Sequence, residues 1–256
     1  IAVAAYKKEL RPLTWPHLRA YLVLGVIGVA LPVPLLTFLA PKLPVGIITL
    51  LLVLVPLLTY AMSYFLRIEK FRISGMVGVL LGLGGMLFVL IPQTGLPTPD
   101  MVGWVLLALV GPLCFASCNA FVVILSPPGT PSLMMAAGMS AGATLLLAPV
   151  MVASGHGFVF PTATLDGNLV ILYAAAITAA TMVAWFFLVR ITGPVFFSQF
   201  NYFIVLGGFG WGYILHDEHH SFWVWIATAS AFAGLAIFTH GAKSHEAAEE
   251  TPALAE

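Results

Sequence analysis

The residues in this chain with types and spacing suited to chemistry are polar side chains set inside long apolar stretches. Gln199, Asn201 and Tyr202 fall in one such stretch, and Ser117 and Asn119 in another. An amide both donates and accepts hydrogen bonds, so it can hold a neutral or zwitterionic solute. Buried amides cost free energy unless paired, and the partner is either a bound ligand or a neighbouring helix. Tyr60, Tyr64, Trp185 and Tyr213 are aromatic candidates for the walls of the same cavity, although such rings also anchor helices at membrane interfaces. The expected binding set is Asn119, Gln199 and Asn201 as hydrogen-bonding groups, with Tyr202, Tyr60 and Trp185 as walls.

Other constellations carry less. Glu69 and Glu218 suggest proton carriers, because carboxylates inside membranes relay protons. Both lie in short hairpins between apolar runs, where an anion is favoured by a helix N-terminus, so they read as structural landmarks. His216, Asp217, Glu218, His219 and His220 offer imidazole and carboxylate, but a short hairpin cannot aim them all at one ion; no metal is expected. Gly138-Met139-Ser140-Ala141-Gly142 matches the nucleophile-elbow pattern without its strand-turn-helix setting. Small residues inside an apolar helix serve close packing instead, so no catalytic residue is assigned. There is no phosphate-binding loop and no cofactor motif, and ATP-driven pumping is unsupported.

The elements that must position these residues follow from composition. Hydrophobic residues make up 61% of the chain and charged residues 8%, too few to cover a soluble domain. Net charge is zero, which gives no electrostatic case for nucleic acid. Apolar runs of about 20 residues match the ~30 Å hydrocarbon thickness, so the fold class is an all-α polytopic membrane protein. Eight spans are read: Ala20–Leu39, Val45–Leu66, Ile73–Ile91, Met101–Leu125, Leu133–Ala153, Asn168–Val189, Pro194–Leu215 and Phe222–Thr239. Pro32, Pro34, Pro56, Pro112 and Pro149 interrupt them and can kink a helix. With the N-terminal end in the cytoplasm, every Lys and Arg falls inside except Lys42. Both visible ends are then cytoplasmic, in the cell (inner) membrane. No Lys or Arg lies clearly within a span, which disfavours phosphorylated sugars as substrate.

The chain also repeats itself. Shifted by 149 positions, Pro44–Pro92 lies without a gap over Gly193–Gly241, bringing Glu69 onto Glu218, Tyr64 onto Tyr213 and Gly85 onto Gly234. The copies start an odd number of spans apart, so equivalent helices cross in opposite directions. That is an inverted-topology repeat, an arrangement used for alternating access about a midplane site. Two spans precede the later copy without a counterpart in the earlier one. The expected whole is therefore ten spans, five per repeat, with two missing before Ile1. The expected division is 1–97 for the truncated first repeat, 98–243 for the second, and 244–256 for a disordered tail. Gln199 and Asn201 fall on Leu50 and Leu52, so their polarity is not required by the repeat.

With Pro56 and Glu69 in one copy and Glu218 in the other, the chain resembles the EamA-type transporters of the drug/metabolite transporter superfamily. Each repeat of that family typically ends in an apolar helix, a hairpin with Gly-Glu, and a Gly/Ala-rich helix. This chain departs from the pattern at Val205, in the place of Pro56, and at Ile68 and Asp217, in the places of the glycines. The resemblance implies a ten-span inverted-repeat bundle that exports small metabolites, amino acids or drugs, commonly driven by protons. Expected partners are a small-molecule substrate and the lipid bilayer, with the protein a monomer or homodimer. The competing expectation is a non-transporting scaffold or sensor, assembled through the stripe Gly75, Gly78, Gly82, Gly84 and Gly85.

Overall fold

Proline decides where the apolar runs break. The computed structural model describes residues 14–43, 45–90, 101–155, 165–204, 206–207, 226, 229–230 and 232–240. Helix α1 (Trp15–Gly25) passes into a five-residue π turn, Val26–Ala30, and α2 (Pro32–Leu39) restarts at a proline. Helix α3 (Val45–Leu52) stops where Pro56 cannot donate to the residue four before it, and α4 (Val55–Phe65) begins with Pro56 in its first turn. Helix α5 spans Ile73–Leu90. A further break, at Leu109, divides α6 (Val102–Ala108) from α7 (Val110–Leu125), three residues before Pro112. Pro149, by contrast, sits inside an unbroken α8 (Ser132–Ala153). Helix α9 (Leu165–Thr192) and α10 (Pro194–Ser198) follow, joined by Gly193 at φ 83°. Glycine is needed there because its N–H closes onto Val189 O at 3.0 Å in a left-handed helix cap.

Among the described residues, four helices are long and apolar enough to cross a membrane: Trp15–Leu39, Val102–Leu125, Ser132–Ala153 and Asp166–Thr192. Their outward side chains are apolar, as on α9 with Leu169, Val170, Leu172 and Tyr173 all exposed. Apolar surface of that extent on helices long enough to span hydrocarbon is the face a membrane protein presents to lipid. No strand occurs among the described residues. The chain is an all-α polytopic membrane protein.

The chain packs as two compact units. The first comprises Ile1–Pro34 and Phe121–Gly193. Within it, α8 packs against α1 on one side and α9 on another. A Cβ on Gly142 would meet Tyr21 O at 2.6 Å, and one on Gly138 would meet the Tyr21 ring at 2.4 Å. The Gly-Met-Ser-Ala-Gly pentapeptide is therefore the surface on which α1 lies, with Ser140 exposed. Hydrogen bonds gather three helix ends at Thr130: His17 Nε2 lies 3.1 Å from its hydroxyl, and Arg190 Nη1 donates to its carbonyl.

The second unit comprises Leu35–Ala120 and Pro194–Glu256. Its α4 packs on α5 and α10, around a cluster of Tyr60, Val79, Val195 and Phe238. Helix α5 crosses the helix at 232–240 at backbone contact. A Cβ on Gly78 would meet Gly234 O at 2.5 Å, and one on Gly234 would meet Gly78 O at 2.4 Å. Nearby, Ser230 Oγ donates to Leu81 O at 2.7 Å, and these two residues are 149 apart. That is the offset relating the two copies in the sequence.

In the hairpin after α4, the residue in the left-handed region is Arg67, at φ 57°. Ile68 N–H donates to Ser63 O at 2.9 Å and Arg67 N–H to Tyr64 O at 3.0 Å, the paired bonds of a Schellman cap with Arg67 in the glycine place. A left-handed non-glycine residue costs about 1–2 kcal/mol. Arg67→Gly is accordingly expected to raise the unfolding temperature in detergent. A lower or unchanged value would count against strain at this position.

Candidate functional site

Two elements of the second unit carry the polar groups. On α4, Pro56, Thr59, Tyr60 and Ser63 fall at helical spacing on one buried face. The Tyr60 hydroxyl donates to Arg72 O at 2.8 Å and accepts from Arg72 N at 2.9 Å. Tyr60 is thus a strut that ties the hairpin back to α4, whatever its ring does as a wall. Asn119, near the end of α7 and 5% exposed, reaches Thr59 Oγ1 through Nδ2 at a long 3.5 Å. Thr59 and Ser63 were passed over in the sequence. Their four-residue spacing beside Pro56 was the available signal, and both are fully buried. The Ser63 hydroxyl has no hydrogen-bond partner among the described residues.

The other element begins at Pro194. Its helix is interrupted at Gln199, where the backbone turns tighter: Gln199 N–H donates to Phe196 O at 3.2 Å and Tyr202 N–H to Gln199 O at 3.1 Å. The Gln199 side chain is 1% exposed, and neither its Oε1 nor its Nε2 has a hydrogen-bond partner among the described residues. Asn201 behaves differently: it is half-buried and its Nδ2 donates to Ser198 O at 2.8 Å. Tyr202 is fully buried, and its hydroxyl donates to Val79 O at 3.1 Å. Its ring lies across Gly82, where a Cβ would come within 2.4 Å of it. Trp185 belongs to the first unit, half-buried on α9 with its ring 4.6 Å from that of Phe186. So Asn119, Gln199, Asn201, Tyr202 and Tyr60 share one unit. Among the described residues, Gln199 alone of these has a side chain with no hydrogen-bond partner.

Glu69 takes a role close to the structural one read for it. The Val195 N–H, at the start of α10, donates to its carboxylate, so the anion serves a helix remote in sequence rather than the one that follows it. Burial pushes the Glu69 carboxyl above its ordinary range, outweighing the pull of that N–H and of Arg72 in the other direction. A carboxyl raised on folding contributes stability that is complete below its unfolded value and lost as pH rises through its folded value. Acidifying from neutral pH is expected to raise the unfolding temperature through this group. Glu69→Gln, which keeps an acceptor for Val195, is expected to remove that increment. Identical melting profiles against pH in the two proteins would refute it. Glu218, its counterpart, and the histidines from 216 to 220 lie outside the described residues, as do Tyr213 and the tail after 243.

Comparison with known proteins agrees with this architecture. A solved crystal structure, titled only as that of a protein, matches with a TM-score of 0.73 at 19% identity, covering 93% of this chain and 81% of its own. At that identity the likeness concerns the fold alone. No curated protein matches the chain. What the fold and the lipid-facing surface define is a polytopic helical membrane protein. Residues 1–91 match the EamA-like transporter family, which bears out the resemblance read from the sequence. That family is one of membrane transporters of the drug/metabolite superfamily.

Proposed function

We propose that the protein is a secondary-active exporter that binds a small neutral or zwitterionic solute at Gln199. The observation that carries this reading is the fully buried amide, without a hydrogen-bond partner among the described residues, at a break in its helix. An unpaired amide in a membrane protein is costly, and a substrate is a partner that arrives and leaves. Asn119, with Thr59 beside it, and Asn201 supply further hydrogen-bonding groups in the same unit.

Alternating access between two inverted repeats, within 1–97 and 98–243, is the proposed mechanism. Two observations support it. Leu81 and Ser230, equivalent in the two copies, touch each other, as residues beside a pseudo-twofold axis do. Contacts along α5 also run opposite to those along its counterpart, with Gly78 against Gly234 and Leu81 against Ser230. Helices interrupted at Leu52–Val55 in one copy and at Gln199 in the other suit the broken-helix sites of such transporters. The proposed setting is the cell (inner) membrane with both visible ends cytoplasmic, as a monomer or homodimer. Proton coupling is what the family resemblance implies.

The test is solute efflux from vesicles containing the full-length protein. Gln199→Met is expected to lose efflux of a transported solute at least about tenfold, the effect of one buried hydrogen-bonded group. Unchanged kinetics would remove Gln199 from the site.

A further inference from the structure

The chemistry left open at Gln199 narrows the substrate. A primary amide offers one acceptor and two donors in a plane, and here Oε1 and Nε2 are both unmatched. The group that satisfies both at once presents a donor and an acceptor side by side in a plane, as an amide, lactam or urea edge does. A carboxylate would match only Nε2, and an ammonium only Oε1. Either ion would also need a countercharge. The described residues of α4, α7 and the segment 194–204 contain no Asp, Glu, Lys or Arg, and the nearby carboxylate of Glu69 is already engaged by the Val195 N–H and drawn to Arg72. An ion buried without a counterion is far more costly than a neutral polar group, so a charged group is disfavoured at this position. The tightened turn at Gln199 also presents this amide from a break in the helix, where the backbone can rearrange around an entering group.

We infer that Gln199 reads a neutral, planar amide or lactam edge on the transported solute. This rests on the transporter reading given above. A solute that lacks the N–H of the edge leaves Oε1 of Gln199 buried without a donor, so the ester or lactone analogue of a substrate is rejected. Shape and size are set elsewhere; the edge is set here.

The test uses the purified full-length protein in detergent and matched probes: nicotinamide against methyl nicotinate, and δ-valerolactam against δ-valerolactone. Binding is read by intrinsic fluorescence and by thermal shift, with glycine as a zwitterionic control. The amide and the lactam are expected to bind at least about tenfold more tightly than their ester and lactone partners, one lost hydrogen bond to a buried group. Gln199→Met is expected to erase that preference. Equal binding within each pair, or a preference that survives Gln199→Met, overturns the inference. Glycine binding that depends on Gln199, with no preference within the pairs, overturns it while leaving the transporter reading intact. Efflux of a transported solute that is unaffected by Gln199→Met removes the transporter reading at Gln199 and this inference with it.

Discussion

Gln199→Met is expected to yield a protein that melts at a higher temperature than its parent and no longer moves its solute. Ordinarily a buried substitution that abolishes activity also weakens the fold. Here the two effects separate, because both amide atoms of the native side chain are buried without a partner among the described residues. Leaving a buried polar group unsatisfied costs about 1–3 kcal/mol, and an unbranched apolar side chain of similar volume removes that cost with little repacking. The same substitution deletes the only groups at that position able to hold a polar solute. Differential scanning fluorimetry in detergent reads the first effect and vesicle efflux the second. A variant that melts lower and transports normally would show the amide to be a structural element. Asn201→Leu makes the contrast: its amide already bonds to Ser198 O, so this substitution is expected to lower stability slightly.

Gly78→Leu is expected to prevent the second unit from packing at all. Even a methyl group at Gly78 would lie 2.5 Å from Gly234 O and 3.1 Å from Phe238 Cβ, and the first of these is backbone that no rotamer change can move. Alanine gains up to ~1 kcal/mol over glycine in a helix interior. Overpacking a tight contact costs about 1–3 kcal/mol or more, so Gly78→Ala loses on balance and Gly78→Leu loses heavily. Gly84→Ala, on the same helix with nothing within 4 Å of the added atom, is expected to be neutral or stabilising. Size-exclusion monodispersity and melting temperature of the three variants measure this. A well-folded Gly78→Leu protein would mean that α5 and its counterpart do not meet at Gly78 and Gly234.

Much of the fold was legible because hydropathy and proline act locally. The long apolar runs appear as helices, and the breaks at Leu52–Val55 and Leu109 precede prolines already visible in the chain. The offset of 149 expected from the sequence is also the separation of Leu81 and Ser230, which are joined by a hydrogen bond. Less local features were not legible. Gln199 and Asn201 are two amides two residues apart, and nothing in their types says that one bonds to its own backbone while the other is unpartnered. The break at Gln199 has no proline to announce it. Thr59 and Ser63 looked unremarkable among apolar neighbours until burial singled them out.

By itself, then, the sequence determined the class of protein and where the described apolar helices run. These depend on the cost of bringing polar backbone and charge into lipid, which each segment meets on its own. Tertiary structure decided which polar groups are satisfied. Tyr60 is engaged by the backbone of Arg72, Glu69 by the first turn of α10, and Tyr202 by Val79, while Trp185 belongs to the other unit. Hydrogen bonding between segments far apart in the chain depends on which faces meet, and that depends on close approaches such as Gly78 on Gly234. Only after those bonds are assigned does the amide of Gln199 stand out as open.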